Sequence, residues 1–283
     1  MSDVPASETG RAVRIACLQT NSGNDFDANL ATLTAMTREA AAGGAKFVFS
    51  AEYALMMDGS GRTMREKALK ADGEPALSVL TALSRELGVW QLVGSLTLMS
   101  DDGRMFNRSL LISAEGRVVA SYDKIHMFDA TLPSGTVIKE SSAYRPGERA
   151  VVAGTPWGGL GMTVCYDLRF PQLYRTLAQR GAVMLAIPSS FQRETGKAHW
   201  HVLLRARAIE NASFVIAPAL CGDHPGKRMT YGHSLVIDPW GEVLADGGDA
   251  PGVVYADLDL EQVEKVRGML PSLTHDRPFA PPA

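Results

Sequence analysis

The chain has 283 residues, 46% of them hydrophobic and 21% charged, with a formal net charge of -3 at pH 7. Such a composition builds a folded globular protein with a substantial core and gives no reason to expect nucleic acid or an acidic membrane as a partner. Its three cysteines, Cys17, Cys165 and Cys221, are too few and too scattered for a disulfide framework or a zinc site. No apolar run approaches a membrane span, and the N-terminus lacks the basic and apolar regions of a signal peptide. The expectation is a reducing, cytoplasmic setting without a bound metal.

Residues 1–10 read as a loose tail and 11–283 as a single domain, since no linker or break in composition divides them. Val13 to Leu18 form a first buried strand, with Cys17 in the core. Asp27 caps a helix carrying Leu30, Leu33, Met36 and Ala40 on one face, which stops at Gly43-Gly44. Lys46 to Ser50 make a second strand, and this spacing predicts a parallel βαβ start. Glu52 follows at once. It is either a solvated loop carboxylate or one of the groups that α/β sheets gather at strand ends.

Pro75 to Leu87 form another amphipathic helix, closed by Gly88. Three runs, Trp90 to Leu98, Phe106 to Ile112 and Val118 to Tyr122, then form a β-meander with turn residues at both corners. Lys124 and His126 lie just past it. Residues 127–147 read as a long loop carrying Glu140, and loops of that length are functional or mobile. The hairpin turn Pro156-Trp157-Gly158-Gly159 leads into a strand from Leu160 to Val164, which ends at Cys165. Tyr166, Asp167 and Arg169 follow, and Pro171 suits the first turn of a helix. Helix and strand then alternate, through a polar loop from Ser189, a helix from Ala198 to Asn211 and a strand from Phe214. A charged loop from Cys221 to Gly232 holds His224, Lys227 and Arg228. Asn107-Arg108-Ser109 and Asn211-Ala212-Ser213 match the glycosylation pattern by chance. Internal sequence repeats are too weak to establish symmetry.

Cys165 at a strand-to-helix corner serves either as core filler or as a nucleophile beside unpaired N–H groups. Glu52, Lys124 and Cys165 all stand at strand ends, which one sheet can bring together. A carboxylate can take the thiol's proton, and an ammonium favours the thiolate and a later oxyanion. Spacing alone does not separate this trio from a Cys–His pair using His126, His199, His201 or His233.

Five segments in order carry a resemblance: FSAEYAL around Glu52, YDKIHMFD around Lys124, GMTVCYDLRFPQLYR around Cys165, PSSFQRETGKAHWHVLLRARAIEN, and KRMTYGHSLVIDPWGEVLA. Over nearly its whole length the chain resembles the carbon–nitrogen hydrolases of the nitrilase superfamily, in particular the Nit-type amidase branch. The resemblance implies an α/β fold, a four-layer αββα sandwich with mixed sheets, and a triad that needs no cofactor. Glu52 is then the general base, Cys165 the nucleophile, and Lys124 with the Tyr166 N–H the oxyanion donors. Glu140 matches the second glutamate, which positions lysine and substrate. The reaction is hydrolysis of a small carboxylate-bearing amide to acid and ammonia through a thioester. Two positions depart from the family pattern: Ala51 replaces the usual proline before the base, and Gln172 the usual glutamate after Pro171.

The branch acts on amides such as deaminated glutathione or α-keto-ω-amides, and the loop CGDHPGKRMTYGHS is more similar to the deaminated glutathione amidases. Arg169, Lys227 and Arg228 are candidate partners for substrate carboxylates, with Arg169 equally suited to a structural ion pair and the Lys-Arg pair to a solvated face. Thr195 and His199 divide between pocket wall and core. By analogy the helices after Pro171 and Ala198 bury a homodimer interface, while Trp200 and Leu204 fit the core as well. An N-carbamoyl amino acid hydrolase, a nitrilase and a catalytically silent binding protein are the alternatives on the same fold.

Overall fold

The computed structural model describes residues 12–280 and 282; the expected tail, residues 1–10, lies outside them. The first half comprises β1 (Ala12–Gln19), α1 (Phe26–Ala42), β2 (Phe47–Ser50), α2 (Gly61–Glu66), α3 (Ala76–Leu87), β3 (Trp90–Met99), β4 (Met105–Ile112) and β5 (Val118–Asp123). A small hairpin follows, β6 (Asp129–Thr131) and β7 (Val137–Lys139), then β8 (Val151–Thr155), β9 (Gly158–Met162), α4 (Pro171–Gln179), β10 (Ala182–Ala186), α5 (Arg193–Asn211) and β11 (Phe214–Ala217). The rest is β12 (Cys221–His224), β13 (Arg228–Tyr231), β14 (Leu235–Ile237), β15 (Val243–Asp246), β16 (Gly252–Asp259) and α6 (Glu261–Met269).

Successive side chains of a strand leave opposite faces, and in β1 this alternation feeds two separate cores. Val13, Ile15 and Cys17 pack in one cluster with Leu160, Met162 and Val215, while Ala16 and Leu18 pack in another with Leu33, Ala40 and Leu80. One face therefore meets the second sheet and the other meets α1 and α3. Strands covered on both sides read as nearly unbroken apolar runs. On the far side of the second sheet, α4 and α5 supply Leu173, Tyr174, Trp200 and Leu204 to the same core. The layers run helix, sheet, sheet, helix, as expected of the αββα sandwich.

The two sheets have the same plan. The first has the order β16-β1-β2-β3-β4-β5 and the second, read from its other end, β8-β9-β10-β11-β14-β15. In each the neighbouring pairs run antiparallel, parallel, parallel, antiparallel, antiparallel. The repeat that is too weak to read in the residues is clear in strand direction.

Several boundaries differ from expectation. Asp25, not Asp27, caps α1, its side chain accepting from the Ala28 N–H at 3.1 Å; Asp27 lies in the first turn, where a negative charge suits the helix dipole. Helix α5 begins at Arg193, earlier than Ala198, with no side-chain cap to mark its start. Residues 127–147 are not structureless, since β6 and β7 pair there and a 3₁₀ turn spans Glu140–Ser142. The charged loop after Cys221 is the hairpin β12–β13. Trp200 and Leu204 are fully buried core residues, so they supply no dimer surface.

Gly94 on β3 sits against the end of β2. A Cβ there would lie 1.9 Å from the Ser50 carbonyl oxygen and 2.6 Å from the Ala51 carbonyl. Only glycine lets β3 run this close beneath Glu52.

Candidate active site

Glu52 follows the end of β2 and is 1% exposed. A buried carboxylate needs its lone pairs satisfied, and three donors do this. Oε1 accepts from Asn107 Nδ2 at 2.8 Å and Lys124 Nζ at 3.1 Å, and Oε2 accepts from the Ser190 N–H at 2.8 Å. Lys124 arrives through the meander register, its N–H donating to the Asn107 carbonyl at 3.0 Å. Its ammonium donates to both oxygens of Glu140 at 2.8 Å. Glu140 also accepts from the Phe128 N–H at 2.6 Å and the Tyr53 hydroxyl at 3.1 Å. Burial alone would discharge Lys124, but the carboxylates of Glu140 and Glu52 outweigh it and hold the ammonium well above its usual range.

Cys165 enters from the other sheet. Val164 is extended and Cys165 has φ +49, a left-handed bend that strains a side chain by roughly 1–3 kcal/mol. Asp167 secures the bend. Fully buried, it accepts from the Val164 N–H at 2.8 Å, the Tyr122 hydroxyl at 2.7 Å and the His126 N–H at 3.0 Å. A 3₁₀ turn, Cys165–Arg169, then passes into α4 at Pro171, as expected. Burial, and next the Glu52 charge, push the Cys165 thiol up, while Lys124 pulls it back only in part. At neutral pH the site therefore holds a thiol and an ammonium.

A cavity of about 410 Å³ is lined by Glu52, Lys124, Glu140, Cys165, Lys227 and Arg228, among others. A smaller recess adjoins it, walled by Cys165, Tyr166, Arg169, Thr195 and Arg228. Of the expected site residues His199 alone lines neither space; its Nδ1 lies 3.2 Å from Arg169 Nη2. Arg169, Lys227 and Arg228 have no carboxylate partner among the described residues. Arg228 donates to the Ser190 carbonyl at 3.0 Å, and its buried Nε has no partner. The mouth is set by two loops in contact, the Gly59 N–H donating to Pro225 O at 2.8 Å. A Cβ on Gly59 would lie 2.2 Å from Gly226 O.

No histidine among the described residues lines the cavity or the recess. His126 bonds Asp167 at 2.7 Å and stacks on Phe170 at 3.5 Å, while His201 and His233 both turn to Asp246. Ala51 is fully buried, and Gln172 is exposed on α4.

Asn107 is the group sequence reasoning passed over. As a glycosylation match it looked incidental; in fact it is 1% exposed and its amide bridges Glu52 Oε1 and the Tyr53 hydroxyl. The Ser190 N–H is likewise a backbone group that no residue identity announces. The available signal was register, because a meander places Asn107 beside Lys124.

Residues 14–268 match the carbon–nitrogen hydrolase family model. The chain belongs to the carbon–nitrogen hydrolase family, within the nitrilase superfamily, and is an amide-hydrolysing enzyme of that class. It is 37% identical over 266 residues to the deaminated glutathione amidase of Yersinia enterocolitica, covering 93% of this chain and 92% of that protein. Saccharomyces cerevisiae Nit3, of branch 10 of the nitrilase superfamily, has the same fold with a TM-score of 0.85 and 28% identity, over 95% of this chain and 97% of that one. A mutant amidase from Nesterenkonia sp. AN1 carries the acetamide moiety of fluoroacetamide covalently at its active-site cysteine. It matches with a TM-score of 0.74 and 26% identity, over 91% of this chain and 95% of that one.

Proposed function

We propose that the enzyme hydrolyses a small carboxylate-bearing amide of the deaminated glutathione type, through a thioester on Cys165. The observation that carries this reading is the meeting of Glu52, Lys124 and Cys165 at one cavity wall, with Lys124 held between two carboxylates. Glu52 takes the thiol proton as sulfur bonds to the amide carbon, and the carbonyl electron pair moves to oxygen. Lys124 and the Tyr166 N–H hold that oxyanion. The negative charge passes from Glu52 to the oxygen, so the net charge of the buried site does not change. Collapse returns the electron pair, the C–N bond breaks, and the nitrogen leaves with the proton from Glu52. A primary amide releases ammonia; deaminated glutathione, whose amide nitrogen belongs to a dipeptide, releases that amine. Water then attacks the thioester while Glu52 accepts its proton, the C–S bond breaks, and the sulfur regains the proton as the acid departs.

Glu140 positions Lys124. Arg228, Lys227 and Arg169 meet the substrate carboxylates, Thr195 walls the recess, and His199 steadies Arg169. We read residues 12–280 as one unit, since a single core cluster draws on both sheets. Three unpaired cysteines support a reducing, cytoplasmic setting, and no described helix is long and apolar enough to cross a membrane. The exposed Val202 and Ile209 on α5 support a homodimer through that helix.

Arg228→Gln tests the substrate class. Steady-state kinetics should show kcat/KM for deaminated glutathione falling about 10²-fold, as for a lost charge-assisted pair of about 3 kcal/mol, with an uncharged short amide nearly unaffected. Turnover of nitriles or carbamoyl amino acids with no amide hydrolysed would sink the reading.

A further inference from the structure

Away from the cavity, side chains from three segments converge. His201 lies on α5, His233 follows β13, and Asp246 ends β15. Asp246 Oδ2 is 3.1 Å from His201 Nε2 and 3.2 Å from His233 Nδ1, and one ligand atom from each residue falls within 4.8 Å of the others. We propose that His201, His233 and Asp246 form a binding site for a divalent transition metal, zinc above all, that staples α5 to the hairpin carrying Arg228. The proposal does not depend on the hydrolytic mechanism.

The geometry suits the ion. Tetrahedral zinc with bonds of about 2.0–2.1 Å spaces neighbouring ligand atoms by roughly 3.3 Å, close to both distances from Oδ2. Two imidazoles and a carboxylate are donors that zinc accepts, and binding needs only neutral rings in the tautomer that frees the facing nitrogens. The supporting groups are in place. The Gly248 N–H holds Oδ1 at 2.9 Å, as orienting bonds do around metal ligands, and His233 Nδ1 faces both oxygens, Oδ1 at 2.9 Å and Oδ2 at 3.2 Å. The His233 ring stacks on Tyr231 with centroids 4.4 Å apart. Its backbone is pinned on both sides, the N–H donating to Gly248 O at 2.6 Å and the carbonyl accepting from Trp200 Nε1 at 2.8 Å. The three side chains remain 26–35% exposed, which leaves room for water as a fourth ligand. The three cysteines are too scattered in the sequence for a zinc site, and His201, His233 and Asp246, 13 to 45 positions apart, match no spacing motif.

The alternative is that the imidazole N–H groups simply bond Asp246 and no ion binds. Calorimetric titration of chelator-treated Cys165→Ala protein with zinc separates the two, the substitution removing the active-site thiol as a competing ligand. One ion per chain is expected, with a melting temperature raised by roughly 5 °C at about 100-fold excess over Kd. Asp246→Asn and His201→Ala should each weaken binding at least about 100-fold, the upper end of losses seen for altered metal shells. His201→Gln, which keeps a hydrogen bond to Asp246 and so the local fold, should lose the ion as well. Absence of binding below millimolar zinc, half an ion per chain, or affinity unchanged in these variants would overturn the site.

Discussion

The two sheets share one order of strand directions but do different work at the cavity. The first contributes charge, Glu52 past β2 and Lys124 past β5 with Glu140 nearby, and a neutral amide donor, Asn107 on β4. The second contributes sulfur and backbone donors: Cys165 past β9 and the Ser190 N–H past β10. Buried charges are tolerable only where they neutralise one another, so the carboxylates and the ammonium sit together at the end of one sheet. The proposed nucleophile, Cys165, is held as the neutral thiol by burial and can come from the other. Its left-handed corner, braced by Asp167, carries it across the interface to Glu52.

The comparison breaks most visibly at Lys124. Lys124→Met leaves Glu52 and Glu140 without their shared cation and removes the proposed oxyanion donor. Turnover should fall about 10²–10³-fold, and urea unfolding should show a loss of about 3–5 kcal/mol, as when one partner leaves a buried pair. Loss of turnover with stability untouched would mean that the charge cluster is not a folding unit of the first sheet.

Gly94→Ala asks whether the first sheet's backbone aims Glu52. The new methyl meets the Ser50 carbonyl, and the strand end must shift. Overpacking of this kind destabilises by about 1–3 kcal/mol, and a displacement near 1 Å at a reacting group costs up to about 10²-fold in rate. Stability and kcat are expected to fall together, with KM nearly constant. An unchanged kcat would show that Glu52 is positioned by its side-chain partners alone.

A smaller effect comes from the tyrosines behind the charge cluster. Burial pushes the Tyr144 hydroxyl up to about 12, against about 10 when unfolded. Below pH 10 both states keep the proton and the contribution is intact. Between pH 10 and 12 the unfolded chain loses its proton first, so stability falls, by at most about 2–3 kcal/mol from this group. Burial also raises Tyr53, Tyr122 and Tyr174. Alkaline unfolding curves should be shallower for Tyr144→Phe than for the parent enzyme.

Much of this was legible beforehand where apolar periodicity was strong. The βαβ start, the meander and the corner at Cys165 all follow from runs such as Phe47–Ser50, whose burial on both faces leaves an unmistakable pattern. Strands of three or four residues left none, being exposed in β6–β7 and polar or charged at most positions in β12–β13, which is why both hairpins read as loops. The start of α5 lacked a capping side chain to betray it. At the site, Glu52, Lys124 and Cys165, the side chains proposed to react, could be named from their motifs, and they line one cavity. Asn107 and the Ser190 N–H could not, because their roles depend on register and on the packing of one sheet against the other.

The central claim is that Cys165, brought from the second sheet, is the atom that attacks, with Glu52 of the first sheet handling its proton. Turnover of deaminated glutathione by Cys165→Ala, measured beside the parent enzyme at matched fold and stability, tests this most directly. The account predicts a loss of roughly 10⁴-fold or more, as for other deleted nucleophiles; turnover within tenfold of the parent enzyme would contradict it.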